Sequence, residues 1–244
     1  LDKRKITDLV EENYVAASVL FYFGVEFYHH SEKTINEVCQ THGLNKELVI
    51  EKLESSRKDQ NTEDIDLMQL PVKLVTEYLK HKHYLFIKQT LPYLAKLINH
   101  YPAHSSDLMK DLKFVFPLFV EDYIHHMYEE EDHVFQYILR LDKAIAGKLP
   151  MNQIYFEMEK NSIGKFASEH LESDDDMRQI RKLTNNYLVM DESPVLQKVI
   201  YSELQSFEKA LITHSRVENE VLLPKALMLE KELKSKIVEI RGWN

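Results

Sequence analysis

The chain has 244 residues, of which 44% are apolar and 29% charged, and its formal net charge is -9. This is an ordinary globular composition, long enough for one domain or two. The acidity and the lack of a long basic tract argue against nucleic-acid binding. A single cysteine, Cys39, excludes an intramolecular disulfide, a CxxC redox pair and a multi-cysteine zinc or iron-sulfur site, and it suits a cytoplasmic protein.

The charged start, Leu1 to Lys5, lacks the apolar stretch of a leader peptide. No run of about 18 apolar residues follows, so no membrane span is expected. Glycine and proline are scarce, at 5 and 7 residues, which predicts long helices with few joints.

Residues 1–55 read as a small helical domain. Ile6 to Glu12, Val15 to Phe23, Thr34 to His42 and Lys46 to Leu53 carry apolar residues at helical spacing. Gly24 and Gly43 stand where helices end, and Asn45 is a suitable N-cap for the fourth segment. Residues 56–69 are polar and aperiodic, and predict a linker.

Residues 70–244 then predict an antiparallel four-helix bundle, with helical segments over about 71–99, 105–146, 152–188 and 195–240. Pro92 and Pro117 fall inside the first two segments and predict kinks or breaks. No alternating run is long enough for a sheet, so the fold class is all-α.

Polar residues interrupt the apolar stripes of these helices. On the second, Leu112, Phe116, Phe119, Tyr123, His126, Glu130, Tyr137 and Leu141 follow a three-four spacing that faces a bundle core. On the fourth, Ile200, Leu204, Phe207, Leu211, His214, Glu218 and Leu222 do the same. His83 lies on the stripe of the first and His170 on that of the third. His125, by contrast, falls on a solvated face beside Glu121 and Glu129.

A histidine followed four residues later by an acid occurs at His125, His126, His170 and His214, against about two expected by chance, so the count says little. Any one inward histidine is ordinarily a hydrogen-bonded core residue. The register is the signal: four stripes each carry a histidine, and two carry a glutamate one turn later. Unpaired carboxylates inside a bundle are costly, and no Lys or Arg shares these stripe positions. Two cations bridged by Glu130 and Glu218 and held by the four imidazoles would resolve that cost. The donor set suits iron, manganese or zinc. Tyr123, one turn before His126, reads as core packing with a satisfied hydroxyl, or as a hydrogen-bonding neighbour of the site.

These residues resemble a known family. His126-Met-Tyr-Glu-Glu130-Glu131 resembles the hemerythrin-like H-M-x-K-E-E motif. His214-Ser-Arg-Val-Glu218-Asn-Glu-Val-Leu-Leu-Pro224 resembles its later H-x-x-x-E-N-x-V-L-F-P motif. Glu169-His170 looks like the third-helix E-H, and His83, eight residues before Leu91-Pro92, like the first-helix histidine. Relatives often carry that ligand one residue nearer Leu-Pro, which is Tyr84 here; His81 is the reserve choice.

The N-terminal segments Ile6 to Val10, Ala16-Ala17, Phe23 to Phe27, Lys33-Thr34 and Asn36 to Cys39 resemble the small domain that precedes the bundle in iron-sulfur cluster repair di-iron proteins. One departure is clear: the family's Cys-Cys-Gly-Gly run is replaced by Tyr28-His29-His30-Ser31.

The resemblance implies a hemerythrin-like bundle holding two iron ions with an oxo or hydroxo bridge. It implies a role in repairing iron-sulfur centres damaged by nitric oxide or oxidants. The partners it implies are damaged iron-sulfur proteins and diatomics such as NO or O2, and it admits a homodimer. The alternatives are a di-iron enzyme that reduces NO or peroxide, a hemerythrin-type O2 or NO sensor, and a metal-free interaction module. The sensor class typically carries His-x-x-x-His on one helix, and the pair available here, His100 and His104, straddles Pro102.

Overall fold

The computed structural model describes residues 1–56, 66–102, 107–160, 162–172 and 176–242, with the side chains of 169–172 and 240–242 outside that description. Among the described residues there are helices and no strands, and a lone antiparallel bridge joins Lys5 to Thr34. The fold class is all-α, as the periodicity predicts. No described helix is long and apolar enough to cross a membrane.

The helices are α1 (Ile6–Glu12), α2 (Val15–Tyr22), α3 (Ile35–His42), α4 (Lys46–Ser55), α5 (Val72–Leu85), α6 (Leu91–His100), α7 (Asp107–Glu129), α8 (Gln136–Ile145), α9 (Met151–Lys160), α10 (Ile163–Glu172), α11 (Arg178–Leu183), α12 (Val195–Val217) and α13 (Leu223–Gly242). They fall into two compact units. One is drawn from 1–64, 90–116 and 179–208, the other from 65–89, 117–178 and 209–244. The expected linker lies mostly outside the described residues.

In the first unit, local chemistry sets the helix ends. Thr34 and Glu37 form a reciprocal capping box: the Glu37 N–H donates to Thr34 Oγ1 at 3.3 Å, and the Thr34 N–H donates to Glu37 Oε2 at 2.7 Å. The helix α3 so begun ends at Gly43, whose φ of 63° is left-handed and favours glycine. Asn45 caps α4 by accepting from the Leu48 N–H at 2.9 Å. Ile6, Leu9, Ala17, Leu20, Ile35 and Val38 are buried between these helices. Each large aliphatic among them contributes roughly 1.5–3 kcal/mol of burial.

In the second unit, Val75 and Leu79 of α5 pack in one core with Ile138 and Leu141 of α8, Ile163 of α10 and Leu233 of α13. Three π-helical turns, Phe86–Thr90, Glu130–Phe135 and Glu218–Leu222, join α5 to α6, α7 to α8 and α12 to α13.

One expectation is corrected. The third segment is three helices, α9, α10 and α11, rather than one. The Ile163 N–H that opens α10 donates at 3.0 Å to the buried Glu230 carboxylate of α13, so a tertiary contact secures the new helix start. The segment ends at Asn185, Asn186 and Tyr187, all left-handed with φ between 49° and 58°. α7 runs through Pro117 from Asp107 to Glu129, so of the kink or break expected there no break occurs. At Pro92 an interruption does occur: the proline lies in the first turn of α6, directly after a π turn.

Candidate metal centre

Four of the expected residues meet. His83, Glu130, His214 and Glu218 are all buried, and their nearest ligand atoms lie within 4.8 Å of one another. They come from α5, from the π turn after α7, from α12 and from the π turn after α12. Glu130 and Glu218 are each the first residue of a π turn and each lies one turn after a histidine. A π turn inserts an extra residue into the helix and changes the direction of the side chains that follow; such turns are common at functional sites.

His83 is the hub. Its Nε2 lies 3.0 Å from His214 Nε2 and 3.5 Å from Glu130 Oε2, while its Nδ1 lies 2.9 Å from Glu131 Oε1. An ionised carboxylate only accepts, so the Nδ1–H donates to Glu131 and the bare lone pair of His83 is left on Nε2, aimed into the cluster. Burial first, and the neighbouring His214 second, push its pKa down to about 4, which keeps the ring neutral. Phe135 stacks on the His83 ring at 5.7 Å and holds its plane.

Glu130 is 3% exposed and divides its two oxygens: Oε1 lies 3.3 Å from His126 Nε2, and Oε2 faces His83. Glu130 thus turns its two carboxylate oxygens toward two different imidazoles. Glu218 Oε1 lies 3.2 Å from His214 Nε2. His126 sits beside Glu130 but outside the group of four, and its side chain is 37% exposed, more than a core stripe predicts. Its pKa is raised to about 9, first by the hydrogen bond to Glu130, with the Glu130, Asp176 and Glu218 charges adding to it against burial.

His170 lies on α10 with its side chain outside the described set. His81 and Tyr84 are exposed, so among the first-helix alternatives it is His83 that enters the cluster. His125 is exposed and pairs with Glu129, as its solvated face predicts. Tyr123 is buried, with Phe119 stacked on it at 5.7 Å and the His126 ring at 6.1 Å. Burial and the Glu218 and Glu130 charges hold its hydroxyl well above the ordinary range, so it stays protonated.

The donors fit a metal. Two nearly unexposed carboxylates and two imidazoles, one with its lone pair turned inward by an outer carboxylate, are a hard-to-borderline set suited to a divalent transition ion. The His83–Glu131 pair was not foreseen as a functional contact. Glu131 stands in the quoted motif, but nothing in a linear spacing says that it reaches a histidine 48 residues away.

No protein-family model matches the chain. The iron-sulfur cluster repair protein ScdA of Staphylococcus haemolyticus (strain JCSC1435) is 20% identical to it over 226 residues, covering 90% of this chain and 96% of that protein. The chain is similar to an iron-sulfur cluster repair protein over most of its length. At 90% of this chain and 96% of that protein, the similarity is not confined to an isolated motif.

Proposed function

We propose that the second unit binds two iron ions and that the protein helps restore iron to iron-sulfur centres damaged by nitric oxide or oxidants. The observation that carries this reading is the buried convergence of His83, Glu130, His214 and Glu218. Kinship with a protein named for iron-sulfur cluster repair supports iron as the metal and repair as the task. His83, His214 and His126 would supply nitrogen ligands, Glu130 and Glu218 the bridging oxygens, and His170 the remaining imidazole. Iron held there would supply redox chemistry and the capacity to bind small diatomics such as NO or O2.

The chain's own residues define how such a centre is kept and given up. Glu131 fixes the His83 ring, and the low proton affinity of His83 leaves its lone pair available at neutral pH. His126 is the accessible member, and without metal it holds a proton against Glu130. That proton competes with metal, so loading releases a proton and acidification favours release. A labile store, able to hand iron to a damaged cluster protein in the cytoplasm, follows from that combination.

The test is metal content after anaerobic purification, with the His126→Ala plus His214→Ala double variant alongside. About two irons per chain are expected in the parent, as in carboxylate-bridged bundles, and far less in the variant. Iron-loaded parent should then reactivate a nitrosylated cluster enzyme in vitro. No iron uptake after iron(II) reconstitution would overturn the centre. Uptake without reactivation, but with catalytic consumption of NO or peroxide when a reductant is supplied, would replace repair by a reductase function.

A further inference from the structure

Ligating side chains also gather in the first unit. His30 and His42 bring their Nε2 atoms to 3.1 Å, with the rings perpendicular at 88°. Two imidazole nitrogens bound at about 2.0–2.1 Å to adjacent positions of one ion stand about 3 Å apart. The buried pair His83 and His214 shows nearly the same N···N spacing, 3.0 Å, with its rings tilted at 53°. We propose that His30 and His42 form a second, exchangeable site for a divalent transition-metal ion of the iron(II), nickel, copper(II) and zinc class.

Both ligands are held by regular structure. His30 closes a 3-10 turn over Phe27–His29: its N–H donates to the Phe27 carbonyl at 3.0 Å, and its own carbonyl accepts from the Lys33 N–H at 2.9 Å. His42 is the last residue of α3, the helix fixed by the Thr34–Glu37 box at one end and Gly43 at the other. The nitrogens are therefore placed before any ion arrives, which lowers the ordering cost of binding.

Availability points the same way. His42 is exposed and His30 half-buried, so an ion can reach the pair. Among the described residues no third His, Cys, Asp or Glu ligand atom gathers with the pair. The Lys33 ammonium opposes a cation there. Two protein ligands, with the rest of the shell left to water, make a weak site that loads and unloads.

The test is zinc(II) uptake by the full chain in competition with a chromophoric chelator. The parent is set against His30→Gln and His42→Gln, with His81→Gln, an exposed histidine of the other unit, as control. The parent and the control should take up one further, weaker equivalent that both pair variants lose. Their affinity for it should fall by at least the roughly 10- to 100-fold that removal of an outer-shell partner alone costs. His42→Cys, which keeps a ligand and removes the imidazole, should restore uptake. Equal uptake by the parent and all variants would overturn the site and leave an imidazole–imidazole hydrogen bond. Iron content of the buried centre should be the same in every variant, so this result stands or falls apart from the cluster-repair reading.

Discussion

His83 and Glu131 lie 48 residues apart in sequence and 2.9 Å apart in space, and their contact decides which nitrogen of His83 faces the cluster. Replacing Glu131 by Gln keeps the shape but lets the ring choose its tautomer. Metal affinity should fall by about 10- to 100-fold, the usual cost of losing such an outer partner. Chelator competition on parent and variant, with circular dichroism to confirm equal helicity, measures it.

Metal should also stabilise the fold, and only when the carboxylates are present. With free metal at about 100 times its dissociation constant, binding adds roughly 2.7 kcal/mol. For a chain of this size that raises Tm by about 5–10 °C. Glu218→Ala should abolish most of the rise. Thermal melts with and without iron(II) under anaerobic conditions, for parent and variant, give the answer, and equal shifts in both would place the metal elsewhere.

Glu230 should be structural. Its Oε1 accepts from the Tyr137 hydroxyl at 2.6 Å and from the Ile163 N–H at 3.0 Å, in a buried setting. Glu230→Ala strands both donors and should cost about 2–4 kcal/mol in chemical denaturation. Tyr137→Phe removes one bond only and should cost about 1 kcal/mol.

Glu203 should make stability fall with pH. Burial raises its pKa from 4.5 to about 7, against a hydrogen bond from Ser18. The folded chain therefore binds this proton more tightly than the unfolded one. Its contribution is fully present below pH 4.5 and is lost as pH rises through about 7. Glu203→Gln removes the dependence, and the variant should gain on the order of 2–3 kcal/mol over the parent at pH 8 and little at pH 4. Denaturation midpoints across that range test the sign.

Local chemistry made much of the fold legible. Apolar spacing, with Gly43 and Asn45 acting within three or four residues, puts the N-terminal helices to within two residues of where they stand. The stripes were legible because burial follows the helical period, which is why His83, Glu130, His214 and Glu218 could be picked out before their contacts were known. What escaped depends on distant partners. The break between α9 and α10 is secured by Glu230, 67 residues away from Ile163. The role of Glu131, and the meeting of His30 with His42, likewise exist only once helices are packed.

The π turns escaped for another reason: a 3.6-residue period averages over a single extra residue. An α-helical residue advances the side-chain direction by about 100°. Deleting one residue inside 131–134 or 219–222 would let an α-helix close over the gap and swing the chain beyond it by about that angle. Computational redesign that idealises these helices would favour the same straightening. It would raise helical regularity while turning Glu130 and Glu218 out of phase with the cores of α8 and α13. For this protein, a more perfect helix would be a blank one.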